Sequence, residues 1–308
     1  MKAAARRHTR NVRLKDTFPY HLMLLPGMLV LLVYTIIPFF GNIIAFQNFV
    51  PVKGFVKSQF VGLVNFKRVF TMPDTFRVFS NTLLIACGKL IFGLIMGIFF
   101  AILLNEARGR FFKKSVQTVA FLPHFLSWVI LATVFRDILD PTGILNLILQ
   151  KAGIIAKPIL FLGSNSWFQG MMIGSDVWKE FGYGAVIFIA ALTAINPELY
   201  EAAEMDGIGR IGRIVHITLP GIAVTIVLVA TLNLGSILNA NFDQVYNLYS
   251  PVVYKTGDII DTYVYRMSFL NAQYSFAAAV GLLKSLLSFI LIITANLLAG
   301  KFAKYRIF

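Results

Sequence analysis

Six stretches of this chain are apolar without interruption over the length of a helix that crosses a bilayer. A helix rises about 1.5 Å per residue and needs roughly 20 apolar residues to pass the hydrocarbon core. Runs of that kind lie near 20–46, 80–104, 115–136, 170–193, 218–241 and 276–300. Within them, LLIACGKLIFGLIMGIFFAILL has none of the period-two alternation of a barrel strand, so the pattern predicts helices. The expected class is an all-α polytopic membrane protein: residues 1–19 form a basic cytoplasmic tail and 20–308 a single transmembrane domain. The first run carries Pro26 and Pro38, exceeds the length of a signal-peptide core and lacks a small-residue cleavage site, so it reads as a retained helix. Two outer loops contain FVGLVNFKRVF and GILNLILQKAG, whose apolar residues recur at helical spacing and predict short interfacial helices.

Charge sets the orientation. With both termini in the cytoplasm, the inner segments hold the larger share of Lys and Arg: Lys2 to Lys15 in the tail, Arg108 to Lys114, Arg210 with Arg213, and Lys301 to Arg306. The formal charge of +14 would by itself fit a nucleic-acid partner, but the basic residues flank apolar runs, so no nucleic-acid role is expected. A hydrophobic content of 57% with 14% charged residues excludes a soluble globular surface. One cysteine, Cys87, and four scattered histidines give no metal-ligand spacing, and no catalytic motif such as H-E-x-x-H or G-x-S-x-G occurs.

Between the fourth and fifth runs lies INPELYEAAEMDGIGRIGRIVHITLP, a polar hairpin over 196–217. Pro197 suits a first helical turn and Asn196 can cap it, while Glu198, Glu201 and Glu204 share one side. Gly207, Gly209 and Gly212 allow a sharp bend, and Pro220 marks the entry to the next run. Composition alone leaves both a solvated loop and a docking surface open.

Glu201-Ala202-Ala203, three residues, Gly207, nine residues, then Ile217, Thr218, Leu219 and Pro220 match the EAA–x3–G–x9–I–x–L–P signature of membrane subunits of bacterial ATP-binding-cassette importers. With NTLLIA, FVGLVNF and FLPHFLSW added, the chain resembles the permeases of carbohydrate importers, of the maltose-type, LplB-like complex-saccharide branch. The resemblance implies the type I permease fold, with a cytoplasmic coupling helix between spans four and five. Glu201, Ala202, Ala203, Asp206 and Gly207 would make or shape its contact with an ATPase. It implies as partners a second, different permease, two ATP-binding-cassette subunits and an extracytoplasmic solute-binding protein, in the bacterial cytoplasmic (inner) membrane. This chain has no G-x-x-x-x-G-K-[ST] loop, so it is expected to hold no cofactor, with ATP and Mg bound by the partner ATPase.

Charges inside spans cost on the order of 3 kcal/mol and need a partner or a purpose. Lys89, Lys179 and Lys284 are each expected roughly 12–14 Å below the outer boundary, where a ring of three cations could attract an acidic, uronate-containing oligosaccharide. The competing reading is local pairing, with Asp176 and Glu180 close to Lys179. Asn233, Asn239, Asn241, Asp243 and Gln244 give the fifth run a polar ending; with Tyr274 and Trp178 they complete the expected substrate pathway, although interhelical bonding would account for any one of them. An ion-gradient-driven secondary transporter is the alternative function; it would leave the glutamate–alanine hairpin unexplained.

Overall fold

The computed structural model describes residues 14–302; residues 1–13 and 303–308, which carry most of the basic tail and the last two basic residues, lie outside the described residues. Helix α1 (Leu14–Leu31) continues through a π-turn at Leu32–Ile36 and a short helical turn to a 3₁₀ segment ending at Phe46. The π-turn sits just before Pro38, which has no N–H to give to the preceding turn, and the ladder widens to Ile37 N–H donating to Leu32 O. Side chains from Phe18 to Phe40 are exposed along the whole of this segment.

The chain then pairs β1 (Gln47–Asn48) with β2 (Gln59–Phe60), antiparallel, with Gln47 opposite Phe60. Asn65 pins this loop by donating from Nδ2 to Ala45 O and Gln47 O, each at 2.9 Å. The two short helices expected in the loops are present as α2 (Val64–Thr71) and, further on, α6 (Ile144–Lys151). Val69 of α2 packs with Val78, Tyr263 and Phe276.

Helix α3 (Pro73–Glu106) begins seven residues before the apolar run does, because Pro73 occupies the first helical turn and Thr75 and Val78 are already buried while Asp74 and Arg77 face outward. Its partner is α7 (Asn165–Thr193), against which it buries Ile85 and Ala86 beside Phe168 and Met172, and Ala101 beside Ala185, Phe188 and Leu192. Between them come α4 (Arg110–Phe121) and α5 (Trp128–Leu139). The expected third span, 115–136, is therefore not one helix. Pro123 opens a 3₁₀ turn at Leu122–Phe125, Leu126 and Ser127 are extended, and the segments on either side are bent by 102°. Ser127 Oγ accepts from Ile130 N–H and caps α5. Gly182 lets α4 lie on α7, since a Cβ there would come within 2.2 Å of Ala120 O.

After α7 the chain turns by 74° into α8 (Glu198–Met205), then runs through α9 (Arg210–Gly221) and, bent by 57°, α10 (Ala223–Leu234). A second π-turn, Ile214–Thr218, again precedes a proline, Pro220. The fifth span was expected to run to 241; it stops at Leu234 and unwinds through Gly235 to Asn241. Asn241 holds a left-handed backbone, φ 67°, and its Oδ1 accepts from Gln244 N–H at 3.3 Å to start α11 (Phe242–Leu248). Helices α12 (Ile260–Tyr265) and α13 (Tyr274–Phe302) complete the fold. Among the described residues, Phe18–Phe46, Pro73–Glu106 and Tyr274–Leu297 are long and apolar enough to cross a membrane unaided; counting each of the three bent pairs as one crossing gives six.

Candidate functional site

Where α10 unwinds, it leaves an open cleft of about 380 Å³ against α3 and α7. Lys89 reaches it from α3, Asp176, Glu180 and Tyr183 from α7, and Asn233, Ser236, Asn239 and Asn241 from the end of α10 and the segment after it. Four of the expected pathway residues, Lys89, Asn233, Asn239 and Asn241, thus share one wall system. The others lie elsewhere. Gln244 is fully buried behind the cleft, Trp178 stands edge-on to Phe135 at 5.6 Å, Asp243 is exposed in the first turn of α11, and Tyr274, at the start of the last helix, meets Phe49 edge-on at 6.2 Å.

The three lysines do not form a ring of free cations. Lys89 Nζ lies 3.3 Å from Asp176 Oδ1, donates to Ala240 O at 2.8 Å and also donates to Gln244 Oε1. Gln244 in turn donates to Met172 O and Ser175 Oγ, both at 2.8 Å, while Asn241 Nδ2 donates to Asp176 at 3.3 Å. Lys179 Nζ donates to Glu180 Oε1 at 2.9 Å and to His124 O at 2.8 Å. Glu180 Oε2 lies 2.6 Å from His124 Nδ1, and the imidazole stacks flat on Tyr183, ring centres 3.9 Å apart. Lys284 Nζ donates to Asp261 Oδ1 at 2.6 Å and Asn239 Oδ1 at 2.8 Å. Burial of an ammonium without such partners would cost several kcal/mol, so pairing is what keeps these residues in the fold. In each pair the carboxylate is the more exposed member: Asp176 at 15% against Lys89 at 9%, and Glu180 at 39% against Lys179 at 7%.

What faces the cleft is accordingly a set of amides, two carboxylates and a tyrosine ring supported from behind. Such a wall hydrogen-bonds hydroxyl groups; it holds no unpaired ammonium. Asp176, Glu180 and Tyr183 are the residues that periodicity did not single out for this wall; His124 holds Glu180 and Tyr183 without lining it. A signal was available: Asp176, Glu180 and Tyr183 recur at four- and three-residue spacing on one face, and two acids beside one lysine leave a charge for another span to supply.

At the far end of α7, Asn196 Oδ1 accepts from Glu198 N–H at 3.1 Å and starts α8. Gly207 ends it with φ +73°, Ile208 N–H donating to Ala203 O at 2.9 Å and Gly207 N–H to Glu204 O at 3.1 Å. Glu204 pairs with Arg213 at 3.1 Å across the hairpin. Glu201, Ala202, Asp206 and Gly207 are exposed, whereas Ala203 is turned into its own chain; Met205, 88% exposed, adds an apolar side chain to that exposed surface.

The model of the family described as "Binding-protein-dependent transport system inner membrane component" matches residues 90–304. Protein LplB of Bacillus subtilis (strain 168) is 41% identical over 289 residues, covering 94% of this chain and 90% of that protein. The polygalacturonan/rhamnogalacturonan transport system permease protein YteP of the same organism is 39% identical over 289 residues, covering 94% and 89%. A chain from the crystal structure of a bacterial alginate ABC transporter in complex with an alginate pentasaccharide-bound periplasmic protein superposes with a TM-score of 0.86 at 33% identity, covering 95% of this chain and 98% of that one.

Proposed function

The chain belongs to the family of binding-protein-dependent transport system inner membrane components, and from that premise we propose that it forms one half of the pathway by which an ATP-driven importer takes up an acidic, uronate-containing oligosaccharide. The fold is that of a type I ABC importer permease, multi-pass in the inner membrane. The cleft carries the hydroxyl-rich part of this reading: Asn233, Asn239, Asn241, Asp176 and Glu180 converge where a transmembrane helix unwinds, which is how membrane proteins open backbone and polar side chains to a hydrophilic cargo. The saccharide class is supported by the names of the relatives, two of which handle polymers of acidic sugars. In this half, the sugar hydroxyls are bound by amides and carboxylates, and the lysines act through the acids they pair with.

Both termini then lie in the cytoplasm, and α8 is the coupling helix. Its exposed Glu201, Ala202, Met205, Asp206 and Gly207 seat in an ATPase subunit, with Ala203 shaping the helix from inside. Closure of two such subunits on ATP and Mg moves α8, and α7 and α9 on either side of it move the cleft walls by rigid-body rotation. A second permease completes the cleft, and an extracytoplasmic binding protein delivers the ligand.

The test is ATPase stimulation in proteoliposomes holding this chain with its ATPases, second permease and binding protein. Oligogalacturonate or oligoalginate is expected to stimulate hydrolysis and neutral oligosaccharides to do so weakly. A flat response to every saccharide would overturn the substrate class. Uptake that persists after the ATPases lose their phosphate-binding lysine would instead favour an ion-gradient mechanism.

A further inference from the structure

Two of the buried lysines share an arrangement that charge neutralisation alone does not require. Lys89 Nζ donates to Ala240 O, a carbonyl within the unwound segment 235–241. Lys179 Nζ donates to His124 O, a carbonyl within the break between α4 and α5. Neither carbonyl lies in a regular helix, so each would otherwise be a poorly satisfied acceptor inside the membrane. The same two ammonium groups are held by Asp176 and Glu180, the carboxylates that face the cleft. Each site therefore runs carboxylate, lysine, break carbonyl over two contacts of about 3 Å. Span three at its break and span five at its unwound end are both tied to α7 in this way.

We propose that Lys89 and Lys179 are positioning residues that connect the saccharide cleft to the two helix breaks, so that a saccharide hydroxyl engaging Asp176 or Glu180 loosens the lysine's hold on 235–241 or on 122–127. The proposal rests on the saccharide reading of the cleft. A carboxylate that accepts hydrogen bonds from ligand hydroxyls gives less to its lysine, and the carbonyl bond of that lysine reorganises with it. Binding is thereby converted into a change at the points where the helices are able to bend.

Hydrogen exchange of the assembled transporter in nanodiscs, without ligand, tests the first half. Lys89→Met is expected to raise exchange at 235–241 by about tenfold and Lys179→Met at 122–127 by about tenfold, each confined to its own break, as follows from losing one charge-assisted hydrogen bond. Unchanged exchange at both breaks, or equal loosening of the whole chain, would overturn the proposal. The double variant Lys89→Met with Asp176→Asn separates this role from charge balance: it restores neutrality but not the bond to Ala240, so exchange stays fast, and recovery of slow exchange would sink the idea. Asp176→Asn and Glu180→Gln alone weaken the carboxylate's hold on its lysine as a bound hydroxyl would. Exchange at 235–241 in the first and at 122–127 in the second therefore rises without ligand and no longer responds to saccharide, while saccharide stimulation of the ATPase falls about tenfold in maximal rate; slow exchange or full stimulation in both would overturn the link from cleft to break. A wild-type complex that ignores saccharides counts against the cargo and not against the pinning, which the exchange experiment decides by itself.

Discussion

Asn241 combines three roles that no helix-forming residue could fill together. Its backbone is left-handed, its Oδ1 caps α11, and its Nδ2 orients Asp176 at the cleft. Asn241→Ala places a Cβ in a conformation that costs about 1–2 kcal/mol and removes a cap of about 1 kcal/mol. Asn241→Gly relieves the backbone and forfeits only the side-chain bonds. Thermal unfolding in detergent is expected to fall clearly further for the alanine variant, and equal losses would mean that the backbone conformation is not what selects asparagine. Sequence reasoning picked out Asn241 as a polar residue of the pathway but left it inside a helix, because hydropathy reads transfer energy and is blind to a single positive φ. The lysines were opaque for a related reason. Spacing along one helix finds partners at three and four residues, whereas Lys89 and Lys284 take theirs from segments distant in the chain.

Prolines and glycines decide where the elements begin, bend and stop. Pro38 and Pro220 are absorbed by π-turns, while Pro123 gives a full break, since the 3₁₀ turn that it opens runs into extended residues. The six apolar runs were legible because each is long, and the hairpin because its motif is specific. The interruption at 122–127 was not, because Leu122, Phe125 and Leu126 keep the apolar pattern unbroken through it. Gly207 is the one glycine of the hairpin whose positive φ closes a helix. Nothing lies within 4 Å of where its Cβ would be, so Gly207→Ala tests backbone strain alone. A cost of about 1 kcal/mol is expected to fray α8, read as faster exchange at 198–208 and a several-fold drop in ligand-stimulated hydrolysis. Unaltered exchange there would show that the turn tolerates a side chain.

Across the whole molecule, α7 is the common wall: it meets α3 along its length, α4 at Gly182, and both helix breaks through its charged face. Because the obstacle at Gly182 is backbone, Gly182→Ala has to push two spans apart, at a cost of about 1–3 kcal/mol. Gly174, on the same helix with open space around it, is the matched control and is expected to accept alanine without loss. Lower thermal stability of the first variant but not the second checks the point, and equal behaviour would mean that the close approach is dispensable. The stretch from Phe18 to Phe40 stands outside this arrangement and is exposed throughout, whereas Ala45 and Phe46 beyond it join the core with Phe276 and Val280. The cores along α3, α7 and α13 close without the side chains of the exposed stretch, so its tilt and depth are written in its surroundings: lipid thickness and neighbouring chains set its posture, and a bilayer of different thickness would re-aim this helix before it disturbed any other.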